Sequence, residues 1–302
     1  IKYGDWCPPG SIPPKKTPRD ITSASSYYHD VLTLGKIAQV LGHSDDAEKY
    51  STKAEAIRQA FNRKYYNKDV KTYGNGDQTS NVLGLQLGLC PPEDVDAVVG
   101  SLVREISESH DYHFDTGIIG IKYILDTLSE HGEKETAYRM ITQESYPSFG
   151  YMIREGATTI WERWEKLTGS GMNSHNHIMF GTVDVWFYRC LAGIRLCAAG
   201  WDEIVIKPII PTGLDHASAT LVTLHGAITS SWSKNHGGFV MNVTIPVNTK
   251  ADIYVPKLRY QTIEMSLNGS INSQTKLDEV TVNKEQYYHL RTGSGNYQFR
   301  LW

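Results

Sequence analysis

The sequence GATTIWERWEKLTGSGMNSHNHIMFG, residues 156–181, separates two halves of the chain whose hydrophobic patterns differ. Before it, apolar residues recur at helical spacing, and after Gly200 short runs alternate as strands do. The stretch itself combines indoles, imidazoles, amides and carboxylates. A sugar can stack on indole and hydrogen-bond to such polar groups, while a glutamate can transfer protons. This chemistry favours a carbohydrate site, although Trp161 and Trp164 could equally share one buried face of a helix.

The first half of the chain predicts pairs of antiparallel helices. A helix over 22–41 ends at Gly42, and Ser44 is predicted to cap the next one. Because the link between them is short, the two helices are expected to be antiparallel neighbours. Helix pairs that recur at roughly 45-residue spacing predict an (α/α)-toroid, a ring of helical hairpins. Further helices are expected over 79–88, 91–106, 117–130, 133–144 and 183–194.

The second half predicts an antiparallel β-sandwich. Residues 239–245 alternate between apolar and polar side chains, and Gly237-Gly238 and Asn268-Gly269 are typical of hairpin turns. Short strands at regular spacing are typical of sandwiches. Strands are expected over 203–209, 217–224, 227–233, 239–246, 251–256, 261–267, 279–283, 286–291 and 296–302. The predicted domains are therefore residues 1–197 and 198–302.

Composition limits the classes of function. The 302 residues carry a net charge of −3, which provides no basic field for nucleic acid. No apolar run approaches the roughly 18 residues of a membrane span. The four cysteines have no C-x-x-C spacing, so the sequence predicts neither a disulfide framework nor a cysteine metal site.

Two motifs in the central stretch, GATTIWERW and MNSHNH, resemble the signature of bacterial-type α-L-rhamnosidases, glycoside hydrolase family 78. Three other segments resemble the same family in the same order: YGDW at 3–6, GDQTSN at 76–81 and TGIIG at 116–120. The resemblance covers essentially the whole chain. It implies an (α/α)6 barrel followed by a jelly roll-like domain. Since the sequence predicts about seven helices and the family's barrel has twelve, the barrel is expected to be incomplete.

The resemblance also implies hydrolysis of terminal α-L-rhamnosyl residues by an inverting mechanism. Inverting glycosidases use two carboxyl groups, an acid and a base, roughly 6.5–9.5 Å apart. By its motif, Glu162 corresponds to the general base. His177 corresponds to a residue that holds the sugar, and Trp6 to an aromatic residue of the sugar pocket. Trp161 and Trp164 are further predicted substrate-binding residues, as is Asp5; Arg163 and Asn176 are assigned only as neighbours.

The chain departs from the family at the general acid. That acid lies in an Asp/Arg/Glu-rich stretch upstream of YGDW, and nothing in this sequence resembles it. We therefore expect a truncated enzyme, with the missing N-terminal half or a second subunit as its partner. The expected ligand is a rhamnose-containing oligosaccharide or glycoside, with no cofactor and no metal. No signal peptide is recognisable, which leaves a cytoplasmic and a secreted or periplasmic location both open.

Several alternatives remain open from the sequence. The chain could be a non-catalytic carbohydrate-binding fragment or scaffold, or another toroid glycosidase or lyase. Asp115-Thr116-Gly117 matches the D-T-G of aspartic proteases, but a second copy is absent. His175 and His177 could bind a metal, yet no third ligand stands out. Glu155 and Asp77 are further candidates for substrate contacts, and each can equally be structural.

Overall fold

The computed structural model describes residues 3–260, 262–271 and 275–302. The chain separates into two compact units, one ending at Thr182 and the other running from Val183 to Trp302. A helical unit is thus followed along the chain by a sheet-rich unit, which confirms the predicted fold class. The domain boundary after residue 197 stays a prediction. None of the helices in the described ranges has the length and apolarity that a membrane crossing requires.

The first two helices, α1 (Arg19–Val40) and α2 (Ser44–Tyr65), pack against each other as the sequence predicts. Ser44 is the first helical residue rather than the cap, because His43 occupies the capping position. Asp45 and Asp46 lie in the first turn of α2, where the helix dipole favours negative charge.

The other α-helices of the described residues are shorter. They are α3 (Gln78–Gln86), α4 (Val95–Arg104), α5 (Ile118–Ile121), α6 (Ile124–Glu130), α7 (Lys134–Ile141), α8 (Phe149–Arg154) and α9 (Thr182–Trp186). The helix predicted over 117–130 is interrupted between α5 and α6, and α8 was not predicted. The helix predicted over 183–194 ends earlier, since a π-helical turn over Phe187–Leu191 follows α9 and Ile194 begins a strand.

Helix α3 is the core of the helical unit. Every residue from Gln78 to Leu85 is buried, so the helix is surrounded by protein on all sides. Its N-terminus follows a two-stranded hairpin of β1 (Tyr66–Asn67) and β2 (Thr72–Tyr73). The Tyr73 ring packs so closely on α3 that a Cβ at Gly84 would lie 2.4 Å from it, so a larger residue cannot replace this glycine without displacing the ring.

The sheet-rich unit contains two sheets. The six-stranded sheet has the order β10-β9-β13-β7-β6-β5, and the five-stranded sheet has the order β11-β12-β8-β4-β3. Their strands are β3 (Ile194–Leu196), β4 (Glu203–Ile206), β5 (His216–Thr223), β6 (Gly226–Asn235), β7 (Gly238–Ile245), β8 (Lys250–Pro256), β9 (Ile263–Leu267), β10 (Ser270–Ile271), β11 (Asp278–Val282), β12 (Glu285–Thr292) and β13 (Gly295–Leu301).

One strand pair departs from the predicted antiparallel pattern. Strands β4 and β8 pair in parallel, with Ile204 opposite Ala251 and Ile206 opposite Ile253. The chain can make this pairing because a long segment containing three other strands separates them. The two sheets share one apolar core, to which the five-stranded sheet contributes Ile253 and the other contributes Phe239. Alternating burial along each strand places these side chains on the inner faces.

Candidate active site

The two central motifs form an irregular hairpin with no helix between residues 157 and 177. The Glu162 N–H donates to the Ser174 carbonyl at 2.9 Å, and the Ser174 N–H donates to Oε2 of Glu162 at 3.0 Å. The His177 N–H donates to the Ile160 carbonyl at 2.9 Å. These bonds bring Glu162 and His177 side by side, although the loop between them is not regular secondary structure.

Glu162 and His177 have the geometry of a polar site open to a ligand. The Glu162 side chain is 15% exposed, and its Oε1 lies 3.9 Å from Nε2 of His177. The Met179 N–H donates to Nδ1 of His177 at 3.0 Å, so in the neutral ring the proton is on Nε2. One water or one sugar hydroxyl could therefore accept from Nε2 and donate to Oε1 at the same time.

Trp161 has one face of its ring covered by a neighbouring side chain. It is 3% exposed and stacks on the ring of His175, with 4.7 Å between ring centroids and 21° between planes. The Thr159 hydroxyl donates to the His175 carbonyl and fixes this neighbour. Because residues 157–177 are not helical, Trp161 and Trp164 do not share a helix face, but both side chains are buried, as the core alternative expected. Contact between Trp161 and a sugar stays a prediction.

Trp164 lies in an aromatic cluster of the protein core. Its side chain is fully buried, stacked on Phe180 at 4.5 Å and on Phe114 at 5.2 Å, with Phe149 edge-on. Its indole N–H donates to the Thr116 carbonyl at 2.9 Å. In this arrangement a ligand cannot reach the Trp164 ring without displacing core residues. Trp164 therefore stabilises the hairpin by packing in the core.

Asp5 is also held beneath the surface, at 1% exposure. Its Oδ2 accepts from the Thr79 hydroxyl at 2.5 Å and from the Gly117 N–H at 2.8 Å. Its Oδ1 accepts from the N–H groups of Ile119, at 2.8 Å, and Gly120, at 3.1 Å. Burial raises the pKa of the Asp5 carboxyl above its usual value, and these four hydrogen bonds oppose that rise. With both oxygens occupied, Asp5 acts as an anchor for the chain.

The same TGIIG segment positions Trp6. The Ile118 N–H donates to the Trp6 carbonyl at 2.8 Å. A Cβ at Gly117 would lie 2.2 Å from that carbonyl oxygen, so only glycine allows this approach. The Trp6 ring is partly exposed and meets the edge of the Tyr3 ring at 5.1 Å. Among the three predicted pocket tryptophans, Trp6 is therefore the one accessible to a ligand in this structure.

A buried ion pair beside Glu162 was assigned no functional role from the sequence. Arg163 is 8% exposed, and its Nη2 lies 3.0 Å from Oε2 of Glu165 without the alignment of a hydrogen bond. Oε1 of Glu165 accepts from the Tyr146 hydroxyl at 2.8 Å and from the Gly10 N–H. The pair ties the hairpin to the proline-rich N-terminal loop, a contact between residues far apart in sequence that periodicity cannot reveal.

Two of the weaker carboxylate candidates have structural partners. Asp77 is 1% exposed and caps α3, accepting from the Ser80 N–H at 3.0 Å and the Thr17 hydroxyl at 2.7 Å. Glu155 pairs with Lys166 at 3.1 Å on the surface. Asp77 and Glu155 therefore make the structural contacts that were the alternative to binding substrate.

Within the described part of the chain, one group of side chains has the spacing of metal ligands: Glu105, His110 and Asp115. Nε2 of His110 lies 3.1 Å from Glu105 and 3.3 Å from Asp115. The Lys16 ammonium lies 3.0 Å from both His110 and Asp115. Partial burial lowers the pKa of Lys16, but the carboxylates of Asp115 and Glu105 raise it by more, so that the pKa lies above its usual value. The ammonium of Lys16 thus supplies a positive charge beside Glu105, His110 and Asp115.

The chain is similar in sequence and in structure to known α-L-rhamnosidases. Residues 1–191 match the model for the bacterial alpha-L-rhamnosidase 6 hairpin glycosidase domain, and residues 193–270 match the model for the bacterial alpha-L-rhamnosidase C-terminal domain. An alpha-L-rhamnosidase from Streptomyces avermitilis is 35% identical over 84% of this chain and 24% of its own length.

Two solved structures have the same fold. The α-L-rhamnosidase from Dictyoglumus thermophilum superposes with a TM-score of 0.92 and 44% identity, covering 100% of this chain and 34% of that one. The Streptomyces avermitilis enzyme, complexed with L-rhamnose, gives a TM-score of 0.86 and 30% identity over 100% of this chain and 28% of that one. This chain thus spans about a quarter to a third of the length of these relatives. Since a family model matches 191 of its 302 residues, the chain belongs to the bacterial α-L-rhamnosidase family.

Proposed function

We propose that Glu162 is the general base of an inverting α-L-rhamnoside hydrolysis. This proposal rests on the placement of Glu162 beside His177 in the hairpin. Oε1 of Glu162 lies 3.9 Å from Nε2 of His177. In the proposed step Oε1 takes a proton from water as the water oxygen attacks the anomeric carbon. The leaving oxygen takes a proton from a general acid on the opposite face.

The other hairpin residues have supporting roles in this proposal. His177 donates from Nε2 to a hydroxyl of a terminal α-L-rhamnosyl residue, and the accessible face of Trp6 packs against the sugar's C–H surface. Trp161 lines the same site through its stack with His175. Asp5 and Trp164 act as positioning residues, since both are buried and fully engaged with protein groups.

We further propose that the general acid comes from outside these residues. Asp5 cannot supply it while four donors occupy its oxygens. General acid catalysis is worth about 10²–10⁴ in rate, so this chain alone is expected to turn over slowly. A rhamnose-containing oligosaccharide or glycoside is the proposed substrate.

The surface of α1 supports a partner segment. Tyr27 and Leu34 of α1, and Leu41 at its C-cap, recur every seven residues and are 48%, 45% and 65% exposed. Ile37, 49% exposed, lies on the same side. An apolar stripe of this kind is normally covered by protein. A further helical segment, from the rest of a longer enzyme or from a second subunit, is the proposed cover.

The test is hydrolysis of an aryl α-L-rhamnoside by this chain, with L-rhamnose binding followed by calorimetry in the same preparation. We expect L-rhamnose to bind, with turnover that is slow and falls further in Glu162→Gln. Fast turnover that Glu162→Gln abolishes would mean that the acid lies within this chain. Turnover unchanged in Glu162→Gln would remove Glu162 from the mechanism. A panel of other aryl glycosides separates a rhamnosidase from a different toroid glycosidase.

The saturated carboxylate of Asp5 also favours a second candidate, a non-catalytic carbohydrate-binding fragment. A binder has no turnover to lose. In that case Glu162→Gln would change sugar affinity alone, and no partner segment would restore hydrolysis.

A further inference from the structure

The sheet-rich unit contains an open cavity of about 700 Å³, within the size range of small-molecule sites. It lies where three parts of the chain meet: the approach to β5, the end of β6 with its turn, and the connection that follows β8. Connecting segments of this kind carry most binding sites on β-sandwiches, because the sheets hold them in place.

Hydrogen bonds fix the three segments to one another. The Lys234 N–H donates to the Asp215 carbonyl at 2.8 Å, and the Lys234 ammonium donates to the Pro211 carbonyl at 3.0 Å. The Tyr260 hydroxyl approaches the Asn235 carbonyl at 3.4 Å. The walls are therefore connected to each other, and the cavity is a built feature of the unit.

One wall of the cavity is aromatic and cationic. Tyr260 packs its apolar body against the sandwich core while remaining partly exposed. The Arg259 guanidinium lies 5.5 Å from the centroid of that ring, and Arg259 itself is exposed. A group that pairs with Arg259 would thus lie beside an aromatic surface.

The lining has both positive charge and hydrogen-bond acceptors. Lys234 and Arg259 contribute two cations and Asp215 one carboxylate, which leaves one positive charge in excess on a chain whose net charge is −3. Asn235 and His236 add further polar groups, of which the Asn235 Oδ1 already accepts from the Gly237 N–H at 2.8 Å. An anion is favoured near Arg259, while hydroxyl groups find acceptors at Asp215.

The backbone of this wall is strained at Leu258. Its φ is +48°, a conformation that a leucine rarely adopts, and its side chain is 39% exposed. A hydrogen bond from the Tyr260 N–H to the Lys257 carbonyl, at 3.3 Å, closes the turn around it. Strained residues of this type are enriched at ligand sites, although other non-glycine residues of this chain, such as Asn248 and Asn283, also have positive φ.

We propose that this cavity binds an acidic saccharide, a chain containing uronic acid, with the sugar carboxylate on Arg259 and the ring against Tyr260. A phosphate dianion would add a second negative charge to a lining that already holds the Asp215 carboxylate, and a neutral sugar would form no ion pair with Arg259. The uronate has both a carboxylate for the cation and hydroxyls for the acceptors. This inference is independent of the chemistry at Glu162.

The test is calorimetric titration of the full chain with tetragalacturonate and with the same oligosaccharide after methyl esterification. We expect saturable binding of tetragalacturonate and binding at least about tenfold weaker for the ester, which keeps the shape and lacks the charge. Arg259→Gln should weaken tetragalacturonate binding by a similar factor. Arg300→Gln, an exposed arginine on β13 that does not line the cavity, is the matched control and should bind as the unchanged protein does.

Four outcomes would overturn the proposal. They are an ester that binds as well as the acid, an Arg259→Gln variant with unchanged affinity, no binding of tetragalacturonate, or sodium acetate that displaces it at equal concentration. The last result would make the cavity a simple anion site. None of these outcomes depends on rhamnoside hydrolysis, so a failure here and a failure of the proposed catalytic function are distinguishable.

Discussion

Glu162 and Ser174 exchange two hydrogen bonds, one between backbone groups and one from the Ser174 N–H to the Glu162 carboxylate. Glu162 therefore depends on a residue of the second motif for its orientation. Substituting Ser174→Pro removes the donor, whereas Ser174→Ala keeps it. We expect Ser174→Pro to lower the free energy of unfolding by about 1.5–3 kcal/mol, measured by urea denaturation. Ser174→Ala should lower it by less, about 0.5–1 kcal/mol, because it removes only the hydroxyl that accepts from the Asn176 N–H at 3.2 Å. Equal midpoints for the two variants would contradict this role.

The Asp5 carboxylate anchors the TGIIG segment through four donors. Asp5→Ala would leave those buried N–H groups and the Thr79 hydroxyl without their acceptor. We expect a loss of at least about 3 kcal/mol in the free energy of unfolding, with a smaller loss of about 1–2 kcal/mol for Thr79→Val. Urea denaturation measures both. If Asp5 instead contacted substrate, Asp5→Ala would weaken sugar binding while the unfolding midpoint stayed in place.

Trp164 is expected to contribute packing energy. Its removal in Trp164→Ala creates a cavity among Phe114, Phe149 and Phe180 and orphans the Thr116 carbonyl. The expected loss is about 3–5 kcal/mol, seen as a lower unfolding temperature by circular dichroism. Trp302→Ala is the control, since Trp302 is 53% exposed and should change stability by less than about 1 kcal/mol. A mild effect at Trp164 would favour its predicted role in the sugar pocket.

The thiols should differ sharply in reactivity. Burial raises the pKa of Cys7 to about 11, with Arg163 opposing the rise and Glu162 and Glu165 adding to it. Cys197 is exposed. At pH 8 we expect Ellman's reagent to label Cys197 in the folded chain and Cys7 only after unfolding.

The same shift has a consequence for stability. An unfolded thiol loses its proton near pH 9, whereas folded Cys7 keeps its proton until about pH 11. Stability from this group is therefore full below pH 9 and is lost as the pH rises towards 11. If the folded Cys197→Ser variant were labelled rapidly at pH 8, a buried thiol would be accessible, and the predicted difference in reactivity between Cys7 and Cys197 would be wrong.

Lys16 occupies the position of a cation among Glu105, His110 and Asp115. Without its charge, Lys16→Met should leave three ligand atoms at 3.1 and 3.3 Å separations, close to the roughly 3.3 Å between ligands of a tetrahedral zinc with bonds of about 2.0–2.1 Å. We expect Zn²⁺ to raise the unfolding temperature of Lys16→Met by several degrees, and that of the unchanged protein and of Lys15→Met by much less. A shift equal in all three would contradict this assignment.

Much of the fold follows from sequence pattern, and the exceptions have physical causes. Most strands of the sandwich follow from alternation that is local, and α1 and α2 follow from long apolar stripes. The short strands β3 and β10 were not predicted, since three and two residues are too few for an alternation to stand out. Helix α8 has six residues, too few for a period of 3.6 to stand out. The parallel pairing of β4 with β8 joins distant segments, and no local pattern encodes it.

The candidate site also combines features that local motifs reveal with contacts between distant residues that they do not. The motifs predicted Glu162 and His177 as one site, and the hairpin brings them together. The burial of Asp5 could not be predicted, and that of Trp164 was one of two alternatives left open, because both depend on Gly117, Thr116 and the phenylalanines around them. Trp164 and Thr116 are 48 positions apart in the sequence, and Asp5 and Gly117 are 112 positions apart. A local motif gives no information about contacts over such separations.

The anchor at Asp5 also bears on the order in which the molecule folds. Joining Asp5 to Gly117 closes a loop of 112 positions, which costs about 4 kcal/mol of chain entropy beyond a constant term. The hydrogen bond between Asp5 and Gly117 is therefore expected to form only after the helices inside the loop have formed and shortened the distance between these two residues. We therefore expect Trp6 to reach its position late in folding. A partly folded chain would then have its helices while the surface proposed to contact the sugar is still unformed.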